Sequence, residues 1–531
     1  MKKILLLVLL LPVHFCIGQS ISLVKDINHG AADSYPSFWG TESDGTRFCF
    51  WADDGTPNVN QLWITDGTTA GTHMVCSLPV TFHQTVIDPV YFAGKWYFTA
   101  SEGVNGEELW VTDGTTCSLV KDINTGVGDS YIYDIAIYNN ELYFQAFNGT
   151  SDNLWKSDGT ASGTVVVDNA YELQGSQLME YNSKLYFLGK VSTTNSSGLL
   201  VTDGSSIQMV KEFSSTGNGF IRALTPTSIG LFFIADDGVN GRELWISDGT
   251  TIGTRLVKDI DPSGSGIQQQ LHMTFFNGEI YFGADDGVSG NELWRSDGTT
   301  LGTVIVKEIN PNGDSFYLGD FRGIVYNGNL YFSASVNLSD FEVWKTDGTT
   351  AGTEILKEIN TNGTAYPYGL FVFNNQLLFT ADNGSNGHEL WTSDGTTNGT
   401  TMIEDLNPGP GIGIDNLAFM VVNNKLLFPA SNGTTGFELY EYNSTSTSVT
   451  GSVKPASIHL YPNPASSSLT LSADRRDMRL AIYNTQGIMV KDCSSIQDKD
   501  LINIEDLDKG LYLVHVYYQD GSSEQVKVVK E

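Results

Sequence analysis

Basic residues are scarce. The chain sets 29 Lys and Arg against 61 Asp and Glu, a net charge of −32 over 531 residues. Such a surface repels phosphate backbones and excludes a nucleic-acid partner. Long apolar runs are also missing. The longest, residues 4–12, is about half of the ~20 residues that a bilayer span needs, so no transmembrane span is expected. Proline stands at 15 and charged residues at 17%, beside 40% apolar residues, which excludes wholesale disorder. The five cysteines, Cys16, Cys49, Cys76, Cys117 and Cys493, fit no zinc spacing. One disulfide among Cys49, Cys76 and Cys117, or thiols buried in strands, are both open readings.

Catalytic signatures are absent as well. The chain has no Gly-x-Ser-x-Gly elbow, no His-Glu-x-x-His, no Cys-x-x-Cys and no phosphate-cradling glycine loop. Its eight histidines share no repeat position, and Arg47, Arg222, Arg242, Arg255, Arg295 and Arg322 form no pattern suited to an acidic sugar. A carboxylate pair for glycoside hydrolysis stays open, because with so many acids any pair could meet in space. No catalytic, cofactor-binding or metal-ligating residue is therefore assigned.

What is present begins with an export signal. Lys2 and Lys3, the apolar run and a small residue before Gln19 make residues 1–18 a secretory signal peptide. Phe15 directly before Cys16 is too bulky for a lipoprotein signal. Glycine is plentiful at 56 and aromatics reach 11%, the composition of short strands joined by tight turns.

A repeat dominates the next 420 or so residues. Nine apolar strands of the type Glu279-Ile-Tyr-Phe-Gly-Ala284 are each followed by a segment of the type Glu243-Leu-Trp-Ile-Ser-Asp-Gly-Thr250. The tryptophan position is Trp63, Trp110, Trp155, Leu200, Trp245, Trp294, Trp344, Trp391 and Tyr440, a period of 45–50 residues. Asn-Gly or Asn-Asn pairs precede the apolar strand and suit a two-residue hairpin. Asp-Gly-Thr follows the tryptophan strand, and a Leu-Val-Lys-Asp-Ile strand completes four per period. This arithmetic predicts an all-β, closed β-propeller of about nine blades, with eight as the alternative. The ninth unit lacks its fourth strand while residues 21–27 are a fourth strand without a blade. The N-terminal strand is therefore expected to pair beside Leu439 and close the ring. The repeated tryptophan is read as blade-to-blade packing rather than a sugar platform, since Leu200 preserves only the former.

The loops 236–243, 285–292 and 382–389 gather carboxylate and amide oxygens, so calcium is an open candidate. The same residues are also ordinary turn formers.

Residues 443–457 are a Ser/Thr-rich linker, and residues 458–531 read as a small β-sandwich. Tyr461-Pro462-Asn463-Pro464, Ile482-Tyr483-Asn484 with Gly487, Leu507 with Gly510-Leu-Tyr512, and Lys527-Val-Val-Lys530 resemble the C-terminal sorting domain of type IX secretion substrates. The resemblance implies the type IX machinery as a partner, and export through the periplasm of a Gram-negative bacterium to the outer surface or beyond. The Glu-Leu-Trp-x-x-Asp-Gly-Thr units at 243–250, 292–299 and 389–396 resemble the ELWxxDGT repeat proteins, a name that implies no activity. The expectation is a propeller over residues 19–442 that binds an extracellular glycan or protein. A polysaccharide hydrolase or lyase is the alternative.

Overall fold

The computed structural model describes residues 19–38, 43–57, 60–80, 88–174, 177–216, 220–268, 272–316, 321–414, 419–444, 458–461, 465–473, 478–483, 489–497, 499–505, 507, 509–517 and 523–530. The signal peptide with Cys16, and most of the Ser/Thr-rich linker, lie outside these residues. The chain divides into two compact units, 1–445 and 446–531. Every regular element among the described residues is a strand, and no helix is long and apolar enough to cross a membrane.

In the first unit the described strands form nine antiparallel sheets, seven of them four-stranded. Apart from the Leu200 and Tyr440 sheets, each is built in chain order around its tryptophan strand, and every sheet is named here by the residue at the tryptophan position. In the Trp245 sheet, Phe220–Thr227, Gly230–Asp236, Arg242–Ser247 and Arg255–Lys258 lie side by side. The hairpins turn where the sequence supplies residues that tolerate positive φ: Asn277, Asn327, Asn374 and Asn375 lie at φ 45–57°. The Trp63 sheet keeps three strands and the Leu200 sheet has five.

The apolar strand is buried along its length apart from its end residues, which a two-sided sheet demands. Alternate residues enter two different cores. Phe232 and Ile234 join the core shared with the Trp294 sheet, whereas Leu231, Phe233 and Ala235 join the core shared with the Leu200 sheet. Among the described residues nine such cores occur: eight are shared by two sheets that follow one another in the chain, and the ninth is shared by the Tyr440 and Trp63 sheets. Phe428 and Tyr440 meet the Trp391 sheet, and Val422, Leu427 and Leu439 meet the Trp63 sheet, so the sheet that uses both ends of the repeat region touches the last and the first. This is a propeller-like arrangement.

The N-terminal strand is the fourth strand of the Tyr440 sheet. Gln19–Lys25 runs antiparallel to Glu438–Ser444, with Leu23 opposite Tyr440 and Lys25 opposite Leu439. It stops two residues before the predicted end because the Ile27 and Asn28 amides turn away from the ladder and donate to the Glu438 carboxylate, at 2.7 and 3.3 Å.

Both thiol readings are met by different residues. Cys76 and Cys117, 41 residues apart on neighbouring sheets, form a disulfide, whereas Cys49 stays reduced and buried.

The second unit holds a three-stranded sheet (Ile458–Tyr461, Ser468–Ala473, Leu501–Asn503) and a four-stranded one (Met489–Ile496, Met478–Tyr483, Gly510–Tyr517, Ser523–Lys530). Leu460, Leu469 and Leu471 of the first meet Leu480, Ile482, Val514 and Val528 of the second in one core, which makes a sandwich. Ile482, Leu507 and Tyr512, three residues of the sorting-domain motifs, lie in that core. Pro462, Asn463, Pro464, Asn484 and Gly487 lie outside the described residues.

Candidate functional site

The most repeated residues build the frame. The glutamate of Glu-Leu-Trp is buried at Glu108, Glu243, Glu292, Glu342, Glu389 and Glu438, and its carboxylate accepts amides from the turn after the fourth strand. Ile260, Asp261 and Gly266 donate to Glu243 at 3.0, 3.3 and 2.8 Å. Ile309 and Asn310 donate to Glu292 at 2.6 and 2.9 Å, joined by the Ser315 hydroxyl at 2.7 Å. The glutamate thus pins the crossover to the next sheet, tying together segments 17–23 residues apart.

The tryptophans are at most 8% exposed. Lysines of the preceding fourth strand lie over them: Lys258 is 5.1 Å from the Trp294 ring, and Lys307 and Lys357 are 5.7 Å from Trp344 and Trp391. The same ammonium groups donate to the next sheet at Thr303 O, Thr353 O and Thr400 O, at 2.9, 2.7 and 2.6 Å. A stacked sugar would have no access to these rings.

The Asp-Gly-Thr segment is a closed turn. Asp248 Oδ1 accepts the Thr250 amide and hydroxyl at 2.8 and 2.7 Å, and Ser247 and Thr254 join hydroxyls across the turn at 2.7 Å. Gly253 is required because a Cβ there would lie 2.0 Å from Asp248 Oδ1. These hydrogen bonds hold the Asp248 carboxyl below its usual range, and that of Asp113 at about 2.

Burial does the reverse to the glutamates. The carboxyls of Glu108, Glu243, Glu342 and Glu438 are pushed up to about 7, and that of Glu389 to about 8, because loss of water outweighs the donated amides. Neighbouring carboxylates, among them Asp122, Asp259 and Asp405, add to the rise. A folded value above the ordinary 4.5 contributes stability that is whole below that pH and is lost as the pH climbs through 7 to 8. The urea midpoint of the first unit is therefore expected to be lower at about pH 8.5 than at about pH 5.5. A midpoint that rises over that interval contradicts the assignment.

The acidic loops spend their oxygens on themselves. Asp236 Oδ1 accepts the Gly238 amide at 2.8 Å, and Asp237 Oδ1 accepts Val239 and Asn240 at 3.0 and 2.9 Å. Asp285, Asp286 and Asp382 do the same at 2.7–3.0 Å. Glu243, Glu292 and Glu389 at the ends of these loops are the buried clamps. The sequence presented this group as one set of oxygens, whereas the fold separates turn from clamp.

Variation is concentrated at one edge of the sheets, where the chain crosses from a fourth strand to the next first strand. The residue three before the tryptophan position is Asn60, Glu107, Asp152, Ser197, Arg242, Asn291, Phe341, His388 and Phe437 in successive units. Aromatic side chains of the crossover meet it. Tyr35 stacks on Phe437 at 6.0 Å, Tyr366 on Phe341 at 5.9 Å and Tyr368 on His388 at 6.2 Å, while the Arg242 guanidinium lies 4.1 Å from the Phe220 ring. Tyr35, Tyr131 and Tyr366 occupy the same crossover position at φ 42–43°, a conformation that is strained for a bulky residue. They are 60%, 43% and 38% exposed.

One of these crossovers opens into a pocket of about 520 Å³ lined by Tyr131, Tyr133, Gln145, Phe147, Asp152, Leu173 and Gln174. It sits where the repeat breaks. Asn153 replaces the clamp glutamate and donates to Tyr171 O at 2.9 Å, and Phe147 stands where other units carry Ser101, Asp236, Asp285 or Asp382. Burial raises the Asp152 carboxyl, and a hydrogen bond from Gln145 counters it. Aromatic walls with a few amide and carboxyl groups offer stacking faces and fixed polar partners to a neutral, hydroxyl-rich ligand. Sequence reasoning missed this pocket because its lining comes from segments over 40 residues apart. The available signal was the loss of glutamate at Asn153.

Residues 459–531 match the secretion system C-terminal sorting domain family. The chain thus carries a type IX sorting tail, an address for export to the cell surface or outside. No curated protein matches the sequence. Among solved structures, one of PorZ, described as an essential surface component of the type IX secretion system of Porphyromonas gingivalis, is 12% identical. It covers 93% of this chain and 75% of its own, with a TM-score of 0.33. A puromycin-hydrolyzing peptidase of Mycobacterium tuberculosis is 11% identical over 66% of this chain and 58% of its own, with a TM-score of 0.36. A prolyl endopeptidase structure is 12% identical over 66% and 55%, with a TM-score of 0.37.

Proposed function

We propose that the chain is an exported, non-enzymatic propeller of the ELWxxDGT repeat kind that binds a glycan outside the cell. In this reading residues 1–18 are the signal peptide and residues 19–442 are nine blades in a ring latched by the N-terminal strand. Residues 443–457 are a leash, and residues 458–531 are gripped by the type IX machinery. The observation that carries the binding role is the pocket walled by Tyr131, Tyr133 and Phe147, with Gln145, Asp152 and Gln174 between them. Two further points support it. The invariant features of the repeat are absorbed by packing, turns and clamps, which leaves the variable crossover edge to read a ligand. The exposed, strained tyrosines recur at that edge, and an exposed aromatic face is what a sugar ring packs against.

A glycan array probed with residues 19–444 tests the reading, paired with product analysis of every glycan retained. The expected result is selective retention of a related set of glycans with none cleaved. No retained glycan would contradict binding, and cleavage of the retained set would assign a hydrolase or lyase instead.

A further inference from the structure

We propose that Asp340, Glu342 and Glu358 form a calcium site at the edge of the Trp344 sheet, distinct from the loops whose composition first drew attention to calcium. One oxygen of each of the three carboxylates lies within 4.8 Å of the others. Glu342 is 1% exposed: Oε1 accepts the Asn360 amide at 2.9 Å and the Ile359 amide also lies against the carboxylate, but Oε2, like Glu389 Oε2, makes no hydrogen bond of ordinary geometry. Asp340 Oδ1 is likewise buried without a partner. A buried, unsatisfied carboxylate oxygen is costly, and two such carboxylates clustered with a third acid call for a positive charge. Among the described residues no lysine or arginine pairs with the three. Lys357, next to Glu358, sends its ammonium instead to Thr400 O at 2.6 Å.

Comparison with the sister sheets shows two exchanges, both toward a cation. In three of the five other clamps a serine hydroxyl completes the site, Ser130 on Glu108, Ser315 on Glu292 and Ser34 on Glu438, while Gly266 and Gly413 stand there beside Glu243 and Glu389. The residue at that place here is Ala365, whose amide donates to Phe341 O at 3.0 Å just as that of Ser315 donates to Asn291 O at 2.8 Å. The donor is gone while the backbone is kept. Two residues before the glutamate, the sister sheets carry Gly106, Gly241, Gly290 and Gly387 at φ 68–74°, where a Cβ would run into a backbone carbonyl. Here that residue is Asp340, and the loop takes another course, with Leu338 at φ 58°. A hydroxyl donor has been removed and a third carboxylate supplied at the same clamp.

Hard carboxylate oxygens without nitrogen or sulfur suit Ca²⁺, which completes its shell with carbonyl and water oxygens. Glu358 is exposed and Asp340 partly so, which gives the ion a route from solvent.

Equilibrium dialysis of residues 19–531 against radioactive CaCl₂, after chelator treatment, tests the site. Asp340→Gly restores the residue of the sister sheets, and Ala365→Ser restores the missing donor. The natural chain is expected to bind one more equivalent of calcium than D340G, with a dissociation constant of about 10⁻⁴–10⁻³ M as in extracellular modules. A365S is expected to weaken that equivalent at least threefold. If D340G fails to fold by circular dichroism, Glu358→Gln takes its place with the same expectation. Equal calcium stoichiometry in the natural chain and the folded variant overturns the proposal, whatever the glycan array reports.

Discussion

A chain that begins at His29 is expected to lose most of the stability of the first unit. The deleted segment buries Ile21, Val24 and Ile27. At about 1.5–3 kcal/mol for each buried aliphatic side chain, their loss removes roughly 5–9 kcal/mol before any hydrogen bond is counted. It also strips the buried Glu438 carboxylate of the Ile27 and Asn28 amides and bares the edge of Glu438–Ser444. An open strand edge pairs with whatever strand it meets. Urea unfolding of the shortened chain should show a much lower midpoint, and sedimentation should show self-association. A synthetic peptide of residues 19–28 should reverse both by adding back as a strand. An unchanged midpoint would mean that the strand decorates the Tyr440 sheet and does not close anything.

The second large effect concerns export. A chain ending at residue 444 is expected to fold as the full chain does and to accumulate in the periplasm. The sorting residues Ile482, Leu507 and Tyr512 share a core with the rest of the tail sandwich. The sheets of the first unit have their own nine cores among the described residues. Fractionation of cells expressing the two forms checks this. Normal surface or medium levels of the shortened chain would refute the sorting role. A shortened chain that does not fold would make the tail a structural part of the first unit.

The strand pattern was open to reading because it is local. Alternating burial, Asn-Gly turns and the Asp-Gly-Thr turn each act within a few residues, and the orphan strand near Ile21 is visible as a missing piece at the other end of the repeat. Leu200 in a tryptophan position pointed correctly to packing. The glutamate clamp was not legible, since its partners lie on another turn and its neighbours in sequence are the acids of a loop. The lysine over Trp155, Trp245, Trp294, Trp344 and Trp391 belongs to a different sheet, 34–37 residues away, and nothing in its own strand announces that contact. In the tail, Met489–Ile496 carries no clear strand signal in sequence because Lys491, Asp492, Ser494 and Ser495 interrupt its apolar alternation, although the ladder to Met478–Tyr483 forms regardless. The disulfide needed three-dimensional distance, and spacing alone left Cys49 an equal candidate.

The central claim is that the frame is fixed by the repeat while the crossover edge binds. It is tested most directly by measuring the affinity of the glycan selected on the array for three proteins. These are residues 19–444 unchanged, with Tyr131→Ala and Tyr133→Ala together, and with Asp248→Asn in a turn of the frame. The account predicts at least a tenfold weaker Kd for the tyrosine variant, about 1.4 kcal/mol, and no change for D248N. Unchanged affinity in the tyrosine variant, or a loss confined to D248N, would contradict it.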